Sequence, residues 1–227
     1  MKEKVDLKRL IHNFSLNCDF NKNGSIAHFH HGYEYVDLGL PSGLKWATMN
    51  VGASSETDYG LYFAWGETQG YADASTKAFS WADYKWTEDD GSTMSKYNAT
   101  DGKTVSDLED DAAQVACGGS WRMPTATEFQ ELLNTANCTN AWTTVDGVNG
   151  RLFTSKSNGN TLFFPAAGYC YDGSVKYVGG YGGYWSSSLH TSSRQRAYYL
   201  GFLSSSAGWD YGGNRFCGFA VRPVVGQ

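Results

Sequence analysis

Residues 184–224 read YWSSSLHTSSRQRAYYLGFLSSSAGWDYGGNRFCGFAVRPV. Apolar residues recur sparsely along this stretch. At Leu200/Phe202 and Phe219/Val221 they are spaced two apart, which predicts half-buried β-strands. In a strand, alternate side chains point away from the face that carries the apolar residues. The full set of apolar positions, called the frame below, is Trp185, Ala197, Leu200, Phe202, Trp209, Phe219, Val221 and Val224.

The residues between the frame positions share no physical property that packing would require. Thirteen of them, named at the end of this paragraph, can be reached from the asparagine codon AAC by replacing adenines alone. Lys, Glu and Met cannot be reached in that way, and none of them occurs from Ser186 onward. The pattern fits two interpretations equally well: codons that are rewritten at adenines, and an ordinary Gly-, Ser- and Tyr-rich loop region. These replaceable positions are His190, Arg194, Arg196, Tyr199, Gly201, Leu203, Gly208, Asp210, Tyr211, Gly212, Gly213, Phe216 and Cys217.

The composition predicts a compact, loop-rich domain that contains β-structure and has a weakly charged surface. Of the 227 residues, 18% are charged and 15% are aromatic, and 27 are glycines. The net charge of −5 argues against a nucleic-acid partner, because no basic stripe is present to neutralise phosphates. No apolar run approaches the length of a membrane span. We therefore expect neither a nucleic-acid partner nor a membrane span.

The first residues, MKEKVDLKRLIHNF, carry charges where a signal peptide needs an apolar core, so no Sec export is expected. The protein would then be cytoplasmic before assembly into a virion such as a phage tail, or would reach a bacterial surface by another route. The cysteines lack CxxC or zinc spacing, which favours scattered reduced thiols. A Cys117–Cys138 disulfide stays open at this point. The five cysteines are Cys18, Cys117, Cys138, Cys170 and Cys217.

Residues 1–32 are predicted to be an N-terminal appendage for attachment or oligomer contacts. Leu7, Leu10, Ile11 and Phe14 have the spacing of one face of an amphipathic helix. The following segment resembles the opening of a calcium loop, but its twelfth position is His30 where a carboxylate is needed, so an Asn/Gly turn is the simpler interpretation. The weak calcium candidates are Asp19, Asn21 and Asn23. The nearby His28, His30 and His31 favour a solvated loop over a metal site.

The remaining residues, 33–227, predict one domain of the α+β class. A strand–turn–strand hairpin is expected over 35–47 and an aromatic strand over 59–67. Helices are expected over 106–117, with Ser106 as N-cap, and over 125–133, with a Thr-x-x-Glu capping box. The other expected strands are 151–154, 161–165 and 177–179, with Asn158-Gly159 and Asp172-Gly173 turns.

Five motifs give the chain a resemblance to a known family. They are YVDLGLPSGLKWA (35–47), GGSWRMPT (118–125), FPAAGY (164–169), YWSSS (184–188) and GFAVRPV (218–224). Over roughly residues 33–225, these motifs resemble the Fibrobacter-type major paralogous domain. That group has a C-type-lectin-like fold, shared with formylglycine-generating enzymes.

Within this group, the pattern at 184–224 is similar to that of the variable proteins of diversity-generating retroelements. The resemblance implies adenine-directed rewriting of this stretch, whose side chains would form one ligand-binding face over a scaffold that includes Trp185, Trp209, Phe219 and Arg222. The implied function is non-enzymatic recognition, with no cofactor, of a protein or glycan on a cell surface, in some members as a phage receptor-binding protein. Oligomer formation through the N-terminal segment is possible.

Two alternatives remain. The first is an invariant bacterial surface or adhesin domain of the same fold, as in Bacteroidetes. The second is a degenerate formylglycine-generating type of enzyme. Such an enzyme needs a reactive cysteine pair near the C-terminus, where Cys217 stands alone. A serine nucleophile at 186–188 or 204–206 would need His190 as its base, and His190 is itself a replaceable position. We therefore expect no catalytic residues.

Overall fold

The computed structural model describes residues 27–226. This part of the chain combines antiparallel sheets with two short α-helices, so the predicted α+β class is confirmed. The helices are α1 (Ala112–Cys117) and α2 (Ala126–Leu133). The strands are β1 (His28–His30), β2 (Tyr33–Asp37), β3 (Lys45–Ala47), β4 (Thr87–Asp89), β5 (Thr93–Met94), β6 (Cys138–Val145), β7 (Val148–Ser155), β8 (Thr161–Pro165), β9 (Tyr169–Tyr171), β10 (Ser174–Lys176), β11 (Gly182–Leu189), β12 (Arg196–Phe202), β13 (Ala207–Asn214) and β14 (Val224–Val225).

These strands form small sheets that long loops hold together. One sheet has the order β1-β2-β3-β14, so the last strand pairs with the first hairpin. A second has the order β6-β7-β8, and a third has the order β11-β12-β13. The pairs β4-β5 and β9-β10 complete the set. The C-terminal segment therefore joins the start of the described chain to the sheet that carries most replaceable positions.

Helix α2 confirms the predicted capping box. The Thr125 hydroxyl accepts a hydrogen bond from the Glu128 amide at 3.3 Å, and the Glu128 carboxylate accepts one from the Thr125 amide at 2.7 Å. Phe129 and Leu132 are buried on the inner face. The reciprocal cap satisfies amides that the first helical turn leaves unpaired.

The other helix begins later than predicted. Residues Leu108–Asp110 form a 3₁₀ turn, and Asp111, not Ser106, caps α1 by accepting from the amides of Ala113 and Gln114. The acidic run offers several possible caps. The buried carboxylate of Asp111 also accepts from the Met123 amide, so tertiary packing selects it.

The strand predictions have mixed outcomes. The 35–47 hairpin, the 161–165 strand and the Asp172-Gly173 turn are confirmed, with both turn residues in the left-handed region. The prediction of a strand at 59–67 is wrong, because Tyr62 and Phe63 form only isolated bridges. The 177–179 prediction is also wrong, since the strand there is β10 and Tyr177 has a φ of 57°. Strand β6 was not predicted.

The buried Arg222 holds the centre of the domain. Its Nη1 donates to the carbonyl oxygens of Ala47 (3.1 Å) and Thr48 (2.9 Å), and its Nε donates to the Asn50 side-chain oxygen (2.8 Å). The guanidinium lies 4.6 Å from the centroid of the Phe164 ring. Burial lowers the pKa of Arg222 to about 10, so it still carries its charge at neutral pH. The expected scaffold role of Arg222 fits this position.

Within residues 27–226, no helix is long and apolar enough to span a bilayer. The amphipathic pattern at Leu7–Phe14, the calcium candidates Asp19, Asn21 and Asn23, and Cys18 lie outside the described residues.

We expect Arg222→Ala to lower the free energy of unfolding by at least about 2 kcal/mol, because it leaves two buried acceptors, Ala47 O and Asn50 Oδ1, unpaired at about 1–3 kcal/mol each. Urea unfolding measures this loss. Arg196→Ala is the matched control, since Arg196 is exposed and its loss should cost no more than about 0.5 kcal/mol. Equal effects of the two substitutions would contradict the central position of Arg222.

Candidate functional site

The frame is buried as its spacing predicted, with one exception. Trp185 is enclosed between the rings of Phe219, at 4.5 Å, and Tyr199, at 6.0 Å, and its indole nitrogen donates to the carbonyl of Phe63. Leu200 and Phe202 lie on the other face of β12, where Phe202 stacks on Tyr184. Trp209 is only partly buried, and it lines a shallow groove beside α2. Both faces of β12 therefore contribute apolar residues to the interior.

Nine of the replaceable positions reach the surface fully or in part. They are His190, Arg194, Arg196, Tyr199, Leu203, Gly208, Asp210, Tyr211 and Gly212.

The other four replaceable positions are buried. The Phe216 side chain is 5% exposed and packs on Trp81 at a centroid distance of 4.7 Å. Gly213 lies so close to Trp185 and Phe219 that a Cβ would approach their rings to 3.0 and 2.9 Å. Gly201 and Cys217 are also buried. Among the replaceable positions, direct ligand contact is therefore limited to the nine above.

Strand pairing divides the accessible positions between two faces. Tyr199 pairs with Tyr211, and their rings lie 5.7 Å apart on the face that also carries Trp185. The neighbouring pair, Tyr198 and Gly212, points the opposite way. His190 lies on that second face, with its ring 4.7 Å from the ring of Tyr198. The predicted single face is therefore two patches, centred on Tyr211 and on His190.

The Tyr211 patch continues onto residues outside 184–224. The ring of Tyr199 contacts Phe219 at 4.6 Å, Phe219 contacts Tyr169 at 5.7 Å, and Tyr169 contacts Tyr177 at 5.9 Å. We call the five rings from Tyr177 to Tyr211 the aromatic row. Tyr177 and Tyr211, at its ends, are 68% and 42% exposed. The codon pattern could not indicate Tyr169 or Tyr177, although the tyrosines clustered around the Asp172-Gly173 turn were a visible signal.

Two buried arginines fix the loops that flank β12 through their backbone. Arg151 on β7 donates from Nη1 to the carbonyls of Leu203 (2.9 Å) and Ser206 (3.1 Å). Arg215 donates to the carbonyl of Arg194 at 3.0 Å, and its guanidinium lies over the ring of Trp65. Since the acceptors are backbone oxygens, these bonds do not depend on which side chains the loops carry.

The hydroxyl groups considered as nucleophiles serve the structure. Ser186 donates to the Tyr198 carbonyl at 2.7 Å, and the Ser188 hydroxyl accepts from the Ala126 amide at 3.1 Å. The His190 ring lies 3.2 Å from the hydroxyl of Ser192 and so is placed against the following loop. These contacts give the proposed serine–histidine pairing no geometric support.

A cluster of acidic groups, Asp107, Glu109 and Asp110, has oxygens close enough to hold a metal ion. The ammonium of Lys96 already lies within 2.8, 3.1 and 2.5 Å of the three carboxylates. The positive charge that the cluster needs is therefore supplied by the chain itself. The solvated loop expected at His28, His30 and His31 is wrong for the first two, because they lie in β1, which pairs with β2. The His30 Nε2 lies 3.1 Å from the Ser120 hydroxyl.

The cysteines of the described chain are buried free thiols, so the possible Cys117–Cys138 disulfide is not formed. Burial raises the pKa of both Cys170 and Cys217 to about 12. Because the thiolate is the reactive form, only about one thiol in 10⁴ is reactive at pH 8.

We expect Cys170 and Cys217 to resist alkylation by iodoacetamide at pH 8 in the folded protein and to react fully in 6 M guanidinium chloride. Peptide mapping by mass spectrometry reports each cysteine separately, so Cys18 does not confuse the result. The reaction with Cys217 should accelerate as pH rises toward 12, since the raised pKa moves its titration upward. Rapid native labelling of Cys217 at pH 8 would show that it is accessible and activated.

Part of this site lies in a stretch that is similar to a known family. Residues 137–224 match a family described as "Domain of unknown function (DUF8237)", and this range contains β6 to β13 and most of the residues described above. The match covers less than half of the chain. No curated protein and no solved structure matches.

Proposed function

We propose that this chain is a non-enzymatic ligand-binding protein with a C-type-lectin-like fold, whose residues 184–224 are diversified by a retroelement for recognition of a cell-surface receptor. The two helices, the small antiparallel sheets and the return of β14 to β3 support this finer description of the fold. The proposed setting is a phage virion or a bacterial surface, and the proposed domain is residues 33–227 with the appendage 1–32.

A single observation carries the proposal. Along β11 to β13 and the adjoining loops, buried groups hold the backbone while most of the replaceable side chains are accessible. Nine replaceable positions are accessible, while frame residues such as Trp185, Leu200 and Phe202 are buried. Arg151 and Arg215 hold the backbone at Leu203 and Arg194 through carbonyl oxygens. The backbone bonds of such a surface survive replacement of its side chains, because they are made to carbonyl oxygens.

The accessible residues are chemically suited to binding. Tyr199 and Tyr211 supply large, rigid contact areas, and Arg196 and Asp210 supply charge at exposed positions. Such mixtures of aromatic and charged groups are typical of recognition surfaces. The protonated, buried Cys217 and the occupied serine hydroxyls lend no support to an enzymatic function.

One observation favours the second candidate, an invariant bacterial surface or adhesin domain of the same fold. Phe216, Cys217, Gly201 and Gly213 are buried, and Gly213 has no room for a larger side chain. A mutagenic process that rewrote these four positions freely would damage the interior. Diversification then requires that they vary less than the exposed positions, and this requirement separates the two candidates.

The DNA around the coding sequence tests the proposal directly. We expect a nearby reverse transcriptase and a second copy of the 184–224 repeat that differs only at adenines. Differences should concentrate in codons for accessible positions such as Arg196, Asp210 and Tyr211, and should be rarer at Gly213. A locus with neither element assigns the chain to the invariant candidate.

We also expect Arg196→His and Asp210→Tyr, which introduce residues that AAC can encode after adenine replacement, to change the free energy of unfolding by no more than about 0.5 kcal/mol, because both positions are exposed. Phe202→Ala should cost about 3–5 kcal/mol, because it empties a buried site. Thermal or urea unfolding measures all three. Losses above about 2 kcal/mol for the exposed pair would contradict a surface that tolerates replacement.

A further inference from the structure

The aromatic row joins a part of the chain outside 184–224 to a part inside it. Tyr169 comes from β9 and Tyr177 from the loop after β10, whereas Tyr199 comes from β12 and Tyr211 from β13. Neighbouring ring centroids are 4.6–5.9 Å apart along the whole row. If residues 184–224 are diversified as proposed above, one end of the row stays constant while the other end changes.

Exposure falls from the ends of the row toward its middle. Tyr177 and Tyr211, at the two ends, reach solvent, whereas Phe219 in the middle is only 4% exposed. Tyr169 and Tyr199 are half-buried between them. Exposed aromatic rings at both ends fit an extended ligand that contacts the two ends, with the buried middle of the row as their support.

Tyr177 is held at its end of the aromatic row by a strained backbone. Its φ of 57° lies in the left-handed region, which bulky residues rarely adopt. Its carbonyl accepts hydrogen bonds from the amides of Gly180 and Tyr181, each at 3.0 Å, and these bonds fix the turn. A largely exposed side chain gains little from packing, so folding does not account for an aromatic residue at this strained position. Strain of this kind is found at functional sites.

The chemistry of the row indicates the class of ligand. The row consists of neutral rings, and its four tyrosines, Tyr169, Tyr177, Tyr199 and Tyr211, also carry phenol hydroxyls. The ring faces carry partial negative charge, which attracts the weakly positive C–H groups of a sugar ring, while hydroxyls bond to hydroxyls. Nucleic-acid bases also stack on such rings, but a chain with a net charge of −5 repels their phosphates.

A row with a constant end also limits the choice between saccharide and protein. The constant end must suit every ligand that the changing end selects, so the ligands must share a repeated chemical unit. Sugar rings are such a unit, since saccharides differ mainly in linkage and substituents. The peptide backbone that all proteins share is largely hydrogen-bonded within their secondary structure, so protein surfaces expose no common ring-sized unit. We propose that the aromatic row binds a neutral saccharide chain, with Tyr169 and Tyr177 as the constant contact and Tyr199 and Tyr211 as the replaceable contact.

The inference rests on the proposed function, and a glycan array probed with the full-length protein tests it. The array carries neutral, sialylated and sulfated glycans, and calorimetry then measures the affinity of the best neutral oligosaccharide. We expect neutral glycans to bind, Tyr177→Ala to weaken binding about tenfold or more, and Tyr177→Phe to retain most of it. Phe29→Ala is the matched control, because Phe29 is an exposed aromatic residue on β1, outside both patches.

Each result decides for or against the saccharide. Binding that needs sialic acid or sulfate, no binding to any neutral glycan, or a neutral-glycan affinity unchanged by Tyr177→Ala overturns the inference. The proposed function is judged separately by Tyr211→Ala and by the locus. If Tyr177→Ala weakens binding but Tyr211→Ala does not, the ligand class stands and the role of the diversified residues fails. If the locus carries a template repeat but no neutral glycan on the array binds, the role of the diversified residues stands and the saccharide ligand class fails.

Discussion

The guanidinium of Arg222 meets its hydrogen-bond acceptors entirely inside the protein. A buried cation is costly unless fixed dipoles replace its water, and here they come from the carbonyls of Ala47 and Thr48 and from Asn50. Asn50 in turn donates to the Tyr184 hydroxyl at the start of the sheet that carries most replaceable positions. The first hairpin, the C-terminal segment and that sheet therefore have a single relative arrangement. Without it, the frame would have nothing to pack against.

The same chemistry recurs at the surface loops. Arg151 and Arg215 use directional guanidinium donors to hold backbone carbonyls, as Arg222 does in the centre. Regular secondary structure is short in this chain, so these bonds replace part of what longer strands would provide. Aromatic packing supplies the rest, for example where Trp185, Tyr199 and Phe219 meet. Long loops are therefore held against the interior by hydrogen bonds and aromatic contacts.

Local signals predicted much of the fold. The capping box of α2 and the Asp172-Gly173 turn depend on neighbours in sequence, so they could be predicted from it. The start of α1 could not, because the choice among Asp107, Asp110 and Asp111 is made by the distant Met123 amide. The aromatic block at 59–67 has strand-like composition but pairs through isolated bridges. Composition alone does not distinguish a strand from a buried loop.

For the site, the frame was predictable and the grouping of the accessible residues was not. A bulge in β12–β13 near Tyr199 and Gly201 sets which side chains share a face, and one extra residue reverses that assignment. The aromatic row forms where Gly168 bridges Gly182 and Cys170 bridges Gly218, which brings β9 beside the C-terminal stretch. Such long-range pairing leaves no local trace, so Tyr169 and Tyr177 were missed.

The ring of Tyr211 lies over two glycines, and this has a consequence for any evolving form of the chain. A Cβ at Gly201 or Gly208 would come within 2.8 Å of that ring. An aromatic residue at 211 is thus compatible with little else at 201 and 208, and a larger residue at either site forces a different occupant at 211. The effect of a change at one of these three codons therefore depends on the residues that the other two encode. The number of usable surfaces is therefore smaller than the product of the choices at each position, and selection acts on combinations of residues.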